Sequence, residues 1–180
     1  MKYTRENIPK DAEFLFFWGH HTSPDGRIKK CCLSQWYECE FTADGVKYHT
    51  AEQYMMAQKA LLFGDNDVFE LIMKANDPKE YKSLGRKIRN FDEKLWNDSK
   101  TDIVIKGNTA KFSQNIAMKN FLLGTADKVL VEASTVDCIW GIGLSADVPD
   151  ASEPEKWRGS NLLGFCLMEV RDIISEAEND

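Results

Sequence analysis

The sequence predicts a mainly α fold of the α+β class, a single helix-rich domain with a small β-sheet. Three observations lead to this prediction. Apolar residues recur at helical spacing through most of the chain after Thr50, while only short stretches alternate as strands do. The 180 residues, of which 43% are hydrophobic, suit one compact domain. We expect that domain to span residues 1–180, with its core at about 14–174.

The first fifty residues predict the strands. "FLFFWGHH", residues 14–21, is typical of a short buried strand that runs into a loop. Pro24-Asp25-Gly26 signals a turn. Residues 35–49 predict two strands joined at Ala43-Asp44-Gly45, because an Asp-Gly pair favours a tight hairpin.

From Thr50 onward the pattern predicts helices. Thr50 is a candidate N-cap, with Gln53 three positions later as in a capping box, and Gly64 is a candidate stop. Four further helices are expected over 65–76, 77–85, 92–115 and 116–125.

The C-terminal part predicts one strand, one loop and one helix. Residues 128–134 alternate as a strand. Residues 138–161 are rich in Gly, Pro, Asp and Ser and predict a long loop, of a length that is often functional. "NLLGFCLMEVRDIISEAE" predicts a closing helix.

Composition narrows the class of protein. A net charge of −6 does not suit strong nonspecific nucleic-acid binding, although it permits a local basic site for one nucleotide or phosphosugar. No secretory signal and no apolar run of about 18 residues is visible, so we expect no membrane contact and an intracellular protein, cytoplasmic or nuclear. Nothing indicates an oligomeric partner.

The five cysteines are odd in number and form no spaced framework. Cys31, Cys32 and Cys39 follow His20 and His21, but the spacing matches no standard zinc pattern. Free thiols are therefore favoured over a metal site.

The helix that begins after Thr50 carries an acid and a base, Glu52 and Lys59. Seven residues are nearly two turns, so both side chains share a face with their Cα atoms about 10 Å apart. Lys59 leans toward the N-terminus and toward Glu52, which leaves room for a substrate between them. Spacing alone also permits two solvated charges on an exposed stripe, and it favours that second interpretation.

Other candidates lie in loops or near helix ends. Asp137 follows a predicted strand and precedes the glycine-containing "CIWGIG", a place that suits a ligand. Trp18 and Trp36 lie near loops, where an indole can stack on a base, whereas Trp96 lies on a helix, where core packing is common. Arg86 fits either phosphate capture or a basic helix cap.

Taken in order, these motifs resemble the NADAR, or YbiA-like, family of N-glycosidases. The matching strings run from Phe14 to Ile174: "FFWGHH", "LSQWYECEF", "DGVKYHTAEQYMMAQKA", "LGRKI", "LWNDSK", "KFSQN", "VDCIWGIG" and "GSNLLGFCLMEVRDII". The most specific of them is T-x-E-x-Y-x-x-A-Q-K.

The resemblance implies a YbiA-like fold and a hydrolase that cleaves N-glycosidic bonds to ribose without a metal or cofactor. It implies catalytic roles for Glu52, Lys59, Trp96 and Asp137. Substrate binding is expected at Phe17, Trp18, Gly19, Trp36, Arg86, Trp140, Gly141 and Asn161. The chain departs from the family at Ser34-Gln35-Trp36, at Ile142 and in enlarged loops, so these departures bear on substrate choice.

Family members act on ribose joined to an exocyclic amine. ADP-ribosylated guanine, as a nucleotide or in nucleic acid, is the expected substrate, and phosphorylated riboflavin-pathway intermediates, which are phosphoribosyl-amine small molecules, are the alternative. A non-catalytic ADP-ribose or NAD-binding module is a second alternative. Lys59 is expected to form a Schiff base with C1′. Direct hydrolysis is the competing route, and Glu52 carries protons in both.

Overall fold

A computed structural model describes residues 1–179 of the chain. The helices α1 to α6 and strands β1 to β4 span, in chain order, β1 Phe14–Phe17, β2 Phe41–Ala43, β3 Val46–Tyr48, α1 Ala51–Leu62, α2 Asn66–Lys74, α3 Pro78–Gly85, α4 Glu93–Gln114, α5 Ile116–Leu123, β4 Val129–Glu132 and α6 Leu162–Asn179. The helix-rich α+β prediction is confirmed, and each helix lies where its sequence pattern predicts one.

The strands form two separate two-stranded sheets, where the sequence predicts one small sheet. The chain also separates into two compact units. We call residues 35–115 the central unit, and residues 1–34 together with the chain from Ile116 onward the terminal unit. The single-domain assignment stays a prediction.

The central unit opens with the β2–β3 hairpin, which pairs Phe41 with Tyr48 in antiparallel register. Asp44 and Gly45 in its turn have φ values of 51° and 76°, as a tight primed turn requires, so the hairpin prediction is confirmed.

Helix α1 begins as predicted but with a modified cap. The Thr50 hydroxyl accepts a hydrogen bond from the Gln53 backbone N–H at 3.0 Å. The Gln53 side-chain oxygen accepts from the His49 N–H at 2.8 Å, one residue before the partner that a capping box uses. The hydrogen bond between the Gln53 side chain and His49 therefore secures the end of the hairpin as well as the start of the helix.

Gly107 lies in the middle of α4, where a glycine weakens a helix in isolation. A β-carbon at this position would lie 2.3 Å from the buried Tyr54 ring of α1. The glycine is therefore what lets α4 pack closely on α1, a gain that local propensity does not show.

In the terminal unit, β1 and β4 pair in parallel, with Phe14 opposite Val129 and Phe17 opposite Glu132. Helix α6 packs against β4. The predicted 138–161 loop is largely irregular and includes two short 3₁₀ turns, Pro149–Ser152 and Pro154–Lys156. None of the helices in the described residues is long and apolar enough to cross a membrane.

We expect Gly107→Ala to destabilise the protein despite alanine's higher helix propensity. The added methyl group must displace a buried ring, and overpacking of this kind costs about 1–3 kcal/mol. Chemical denaturation of the variant measures this. The exposed helical substitution Asn97→Ala is the control for propensity, and an unchanged or raised midpoint in Gly107→Ala would contradict the packing argument.

Candidate active site

The sequence-predicted site residues divide between the two units. Those of the central unit are Trp36, Glu52, Lys59, Arg86 and Trp96. Those of the terminal unit are Phe17, Trp18, Gly19, Asp137, Trp140, Gly141 and Asn161.

Lys59 in the last turn of α1 is half-buried and closely surrounded. Its Nζ donates a hydrogen bond to the Gly85 carbonyl oxygen at 2.9 Å. The same nitrogen lies 4.6 Å from the ring centre of Phe91 and 5.2 Å from that of Trp96. Burial lowers the pKa of Lys59, and the nearby Glu52 carboxylate acts in the opposite direction. Burial is the larger of these two influences on the pKa of the amine.

Glu52 lies in the first turn of α1 with only 4% of its surface exposed. Its backbone N–H donates to the carbonyl oxygen of Gln35 at 2.9 Å. A carboxylate this buried is not part of a solvated stripe, because an exposed helix face would leave it in water. The exposed-stripe interpretation of Glu52 and Lys59 is therefore wrong.

The indole of Trp96 is half-buried rather than enclosed in the core, and it borders Lys59. The ring of Phe91 also lies beside the Lys59 amine, and Phe91 is 48% exposed. Sequence reasoning missed Phe91, since an isolated phenylalanine before a helix carries no signal of its own. Together the two rings form an aromatic surface beside an amine, which suits a sugar or a base.

Arg86 and Trp36 each follow a residue whose carbonyl oxygen contacts Lys59 or Glu52. Arg86 is exposed, follows the Gly85 carbonyl that holds Lys59 and donates its backbone N–H to the Ser83 carbonyl. Trp36 is half-buried and follows Gln35, the backbone partner of Glu52.

In the terminal unit, Asp137 organises the loop that follows β4. Its Oδ1 accepts hydrogen bonds from the backbone N–H groups of Ile139 at 3.0 Å and of Trp140 at 2.8 Å. The Asp137 N–H in turn donates to the Ser134 hydroxyl at 3.2 Å. One carboxylate oxygen of Asp137 thus has a structural task, whatever else the side chain does.

Gly141 and Asn161 hold the same loop. A β-carbon on Gly141 would lie 2.8 Å from the Glu132 carbonyl oxygen, so only glycine fits there. The Asn161 side chain accepts from the Glu132 N–H at 3.0 Å and donates to the Leu130 carbonyl at 2.9 Å. Its amide is engaged with the backbone of β4, which gives Asn161 a positioning role, and its direct contact with substrate stays a prediction.

The three residues at the end of β1 differ in exposure. Phe17 is 1% exposed and lies in the core, so its side chain does not present a binding surface. Trp18 is 67% exposed, and Gly19 has a φ of 81°.

Trp157 in the 138–161 loop is buried at 4% exposure, with its indole N–H donating to the Ala151 carbonyl.

The cysteines are all free thiols, as the sequence predicts: Cys31, Cys32, Cys39, Cys138 and Cys166. Within residues 1–179, no three His, Cys, Asp or Glu side chains are grouped so as to hold a metal ion.

Comparison with known proteins identifies the class. The NADAR domain profile matches residues 16–175. The chain is 43% identical over 165 residues to N-glycosidase R617 of Acanthamoeba polyphaga mimivirus, covering 89% of this chain and 95% of that protein. It is 33% identical over 132 residues to N-glycosidase YbiA of Escherichia coli K12, covering 73% of this chain and 74% of that protein.

Two further matches extend the comparison. The NMR structure of the E. coli protein YbiA superposes with a TM-score of 0.73 at 26% identity, covering 96% of this chain and 90% of that one. The riboflavin biosynthesis protein VVA0006 of Vibrio vulnificus is 30% identical over 80% of this chain, a match that spans 35% of that protein.

The fold and the matches define an enzyme class, the N-glycosidases, which are hydrolases of bonds between a sugar and a nitrogen. The chain belongs to the NADAR family and is an N-glycosidase of that family.

Two substitutions separate the structural task of Asp137 from its charge. Asp137→Asn retains an oxygen that can accept from Ile139 and Trp140, so we expect stability close to that of the parent. It removes the negative charge of a residue that the family resemblance implies is catalytic, so we expect strongly reduced turnover. Asp137→Ala removes both hydrogen bonds and should also lower the free energy of unfolding by about 1–3 kcal/mol. Thermal denaturation and a glycosidase assay read the two effects, and full turnover by Asp137→Asn would show that the charge is not used.

Proposed function

We propose that this N-glycosidase cleaves the bond between ribose C1′ and an exocyclic amine, and that ADP-ribosylated guanine is its substrate. The observation that carries the chemistry is the half-buried Lys59 amine, held between a carbonyl oxygen and two aromatic rings. Burial lowers the pKa of this amine, and a lowered pKa is one way in which a lysine becomes nucleophilic.

An exocyclic amine makes a lysine route chemically feasible. The amine's lone pair forms a C1′=N imine as the ring oxygen O4′ leaves C1′ and takes a proton. Lys59 adds to C1′, the base departs as a neutral amine after gaining a proton, and a lysine imine remains. Water then hydrolyses this imine, which frees the sugar and restores Lys59.

Glu52 is proposed as the proton carrier of these steps. Its carboxylate is largely buried and lies on the same helix as Lys59, close enough to influence the lysine's pKa. Proton transfer by a positioned carboxylate typically contributes 10²–10⁴-fold to a rate. In direct hydrolysis, the competing route, the same carboxylate would activate water or protonate the leaving amine.

Trp96 and Arg86 are proposed to bind the substrate. Trp96, with Phe91, would stack on the sugar or base, and the exposed Arg86 would hold a phosphate through its planar fork. Asp137 keeps its proposed role in stabilising charge at C1′ or holding ribose hydroxyls, a role that rests on the family resemblance.

The choice of guanine is supported by the aromatic surface beside Lys59, which suits a purine. The acidic net charge favours a footprint of one modified nucleotide over a long stretch of nucleic acid. The second candidate, a phosphorylated riboflavin-pathway intermediate, is favoured by the match to the Vibrio riboflavin biosynthesis protein. Both candidates present ribose on an exocyclic amine, so the lysine route serves either.

Trapping tests the covalent route. Incubation with an ADP-ribosylated guanosine oligonucleotide and cyanoborohydride should leave a reduced sugar adduct on the α1 peptide, located at Lys59 by mass spectrometry. Lys59→Ala should lose the adduct and at least about a hundredfold in turnover. Lys106→Ala is the matched control, because Lys106 is exposed and paired with Asp44. Full activity in Lys59→Ala would refute the nucleophile.

A side-by-side assay tests the substrate. We expect kcat/KM for the ADP-ribosylated guanosine oligonucleotide to exceed that for a phosphorylated ribosylamino-pyrimidine by about tenfold or more, because a purine covers more of the aromatic surface. Release of free ADP-ribose and of free pyrimidine are the two readouts. The reverse order would assign the protein to riboflavin-pathway chemistry.

A further inference from the structure

A buried carboxylate outside the proposed machinery holds the chain segment that covers Lys59. Asp65 caps α2 and has no exposed side-chain surface. Besides the Val68 N–H at 3.3 Å, it accepts three hydrogen bonds from Arg89: from the backbone N–H at 2.9 Å, from Nε at 3.1 Å and from Nη2 at 2.5 Å. A helix cap needs only the first of these contacts.

Arg89 belongs to the segment of residues 86–92 that joins α3 to α4. This segment begins directly after the Gly85 carbonyl that accepts from Lys59. Near its end Phe91 packs on Phe63 at 5.2 Å between ring centres and lies over the lysine nitrogen. Along the chain, Arg89 therefore lies between Gly85 and Phe91, two of the residues that surround the Lys59 amine.

We propose that the Asp65–Arg89 pair is a positioning element for Lys59, which fixes segment 86–92 so that the Gly85 carbonyl and the Phe91 ring remain on the amine. The inference deepens the proposed role of Lys59 and rests on it for its catalytic meaning.

The two acidic partners of Arg89 differ in a way that identifies the important one. Asp67 also accepts from Arg89 Nη2, at 2.7 Å, but its side chain is 81% exposed. An exposed pair of this kind contributes little. Asp65 is enclosed and receives both side-chain and backbone donors, and these bonds keep its pKa far below the usual range. Of the two carboxylates, only Asp65 is enclosed and binds both the side chain and the backbone of Arg89.

The groups around the lysine determine what release of the segment would do. Glu52 on α1 is the charged neighbour that raises the pKa of Lys59, whereas α3 contributes the Gly85 carbonyl, the segment contributes Phe91 and α4 contributes Trp96. Burial is the larger influence and lowers the pKa. Water admitted by a loosened segment should therefore raise it.

Competitive labelling of lysines with a small acylating reagent over a pH series, read by peptide mass spectrometry, measures the amine without any substrate. In Arg89→Ala we expect the labelling midpoint of Lys59 to rise by about half a pH unit or more, with a several-fold lower kcat at neutral pH. Asp67→Asn is the matched control and should leave both unchanged. The midpoint of the exposed Lys106 serves as the internal reference in every variant.

Arg89→Ala leaves the backbone donor to Asp65 in place, and its thermal denaturation reports whether it is folded. Arg89→Lys retains one charged donor without the fork and should give an intermediate midpoint, a gradation that general destabilisation would not produce. An unchanged Lys59 midpoint in Arg89→Ala, or an equal change in Asp67→Asn, would overturn the positioning role. Failure of the trapping experiment with a shifted midpoint would instead refute the nucleophile and keep the positioning role.

Discussion

The partial burial of one lysine amine is the constraint on which the chemistry proposed for the central unit depends. Desolvation disfavours an ammonium ion, whereas a carbonyl oxygen and aromatic faces stabilise it. At Lys59 the carbonyl oxygen and both rings lie within about 5 Å of one nitrogen, while burial lowers the pKa of the amine and the Glu52 carboxylate acts in the opposite direction. A lysine balanced in this way changes its protonation state at a lower free-energy cost than one in water.

The contacts around Lys59 require that helix α1, which carries it, is firmly packed. Helix α1 packs against α2, α3 and α4, and most of its residues are buried. The approach of α4 depends on Gly107, whose missing side chain makes room for Tyr54. At the other end of α1, Thr50 and Gln53 together secure the first turn, in which Glu52 is buried. The packing thus explains how a mostly apolar helix can carry an acid and a base.

Local chemistry determined how much the sequence could predict. Caps, turns and helix stops depend on a few neighbouring residues, so Thr50, Asp44-Gly45 and Gly64 were readable. Strands of three or four residues carry little register information, so the division into two sheets was not. Phe91 and the Asp65–Arg89 pair act across 24 to 32 positions and use ordinary residue types. At Asn161 the sequence leaves two roles open, since a buried amide that fastens a strand has the same sequence signature as one that binds a ligand.

The side chains of Arg86 and Lys59 in the central unit suit different roles. A residue that only holds a phosphate benefits from a permanent charge, and an exposed guanidinium such as that of Arg86 provides one. A residue that bonds to a sugar must give up its proton and later regain it. Lys59 is half-buried, donates to a neutral carbonyl and shares its helix with the buried carboxylate of Glu52, the proposed proton carrier. These surroundings suit the nucleophile proposed for Lys59 better than a static anion-binding site, because a half-buried amine with a lowered pKa is a poor permanent charge.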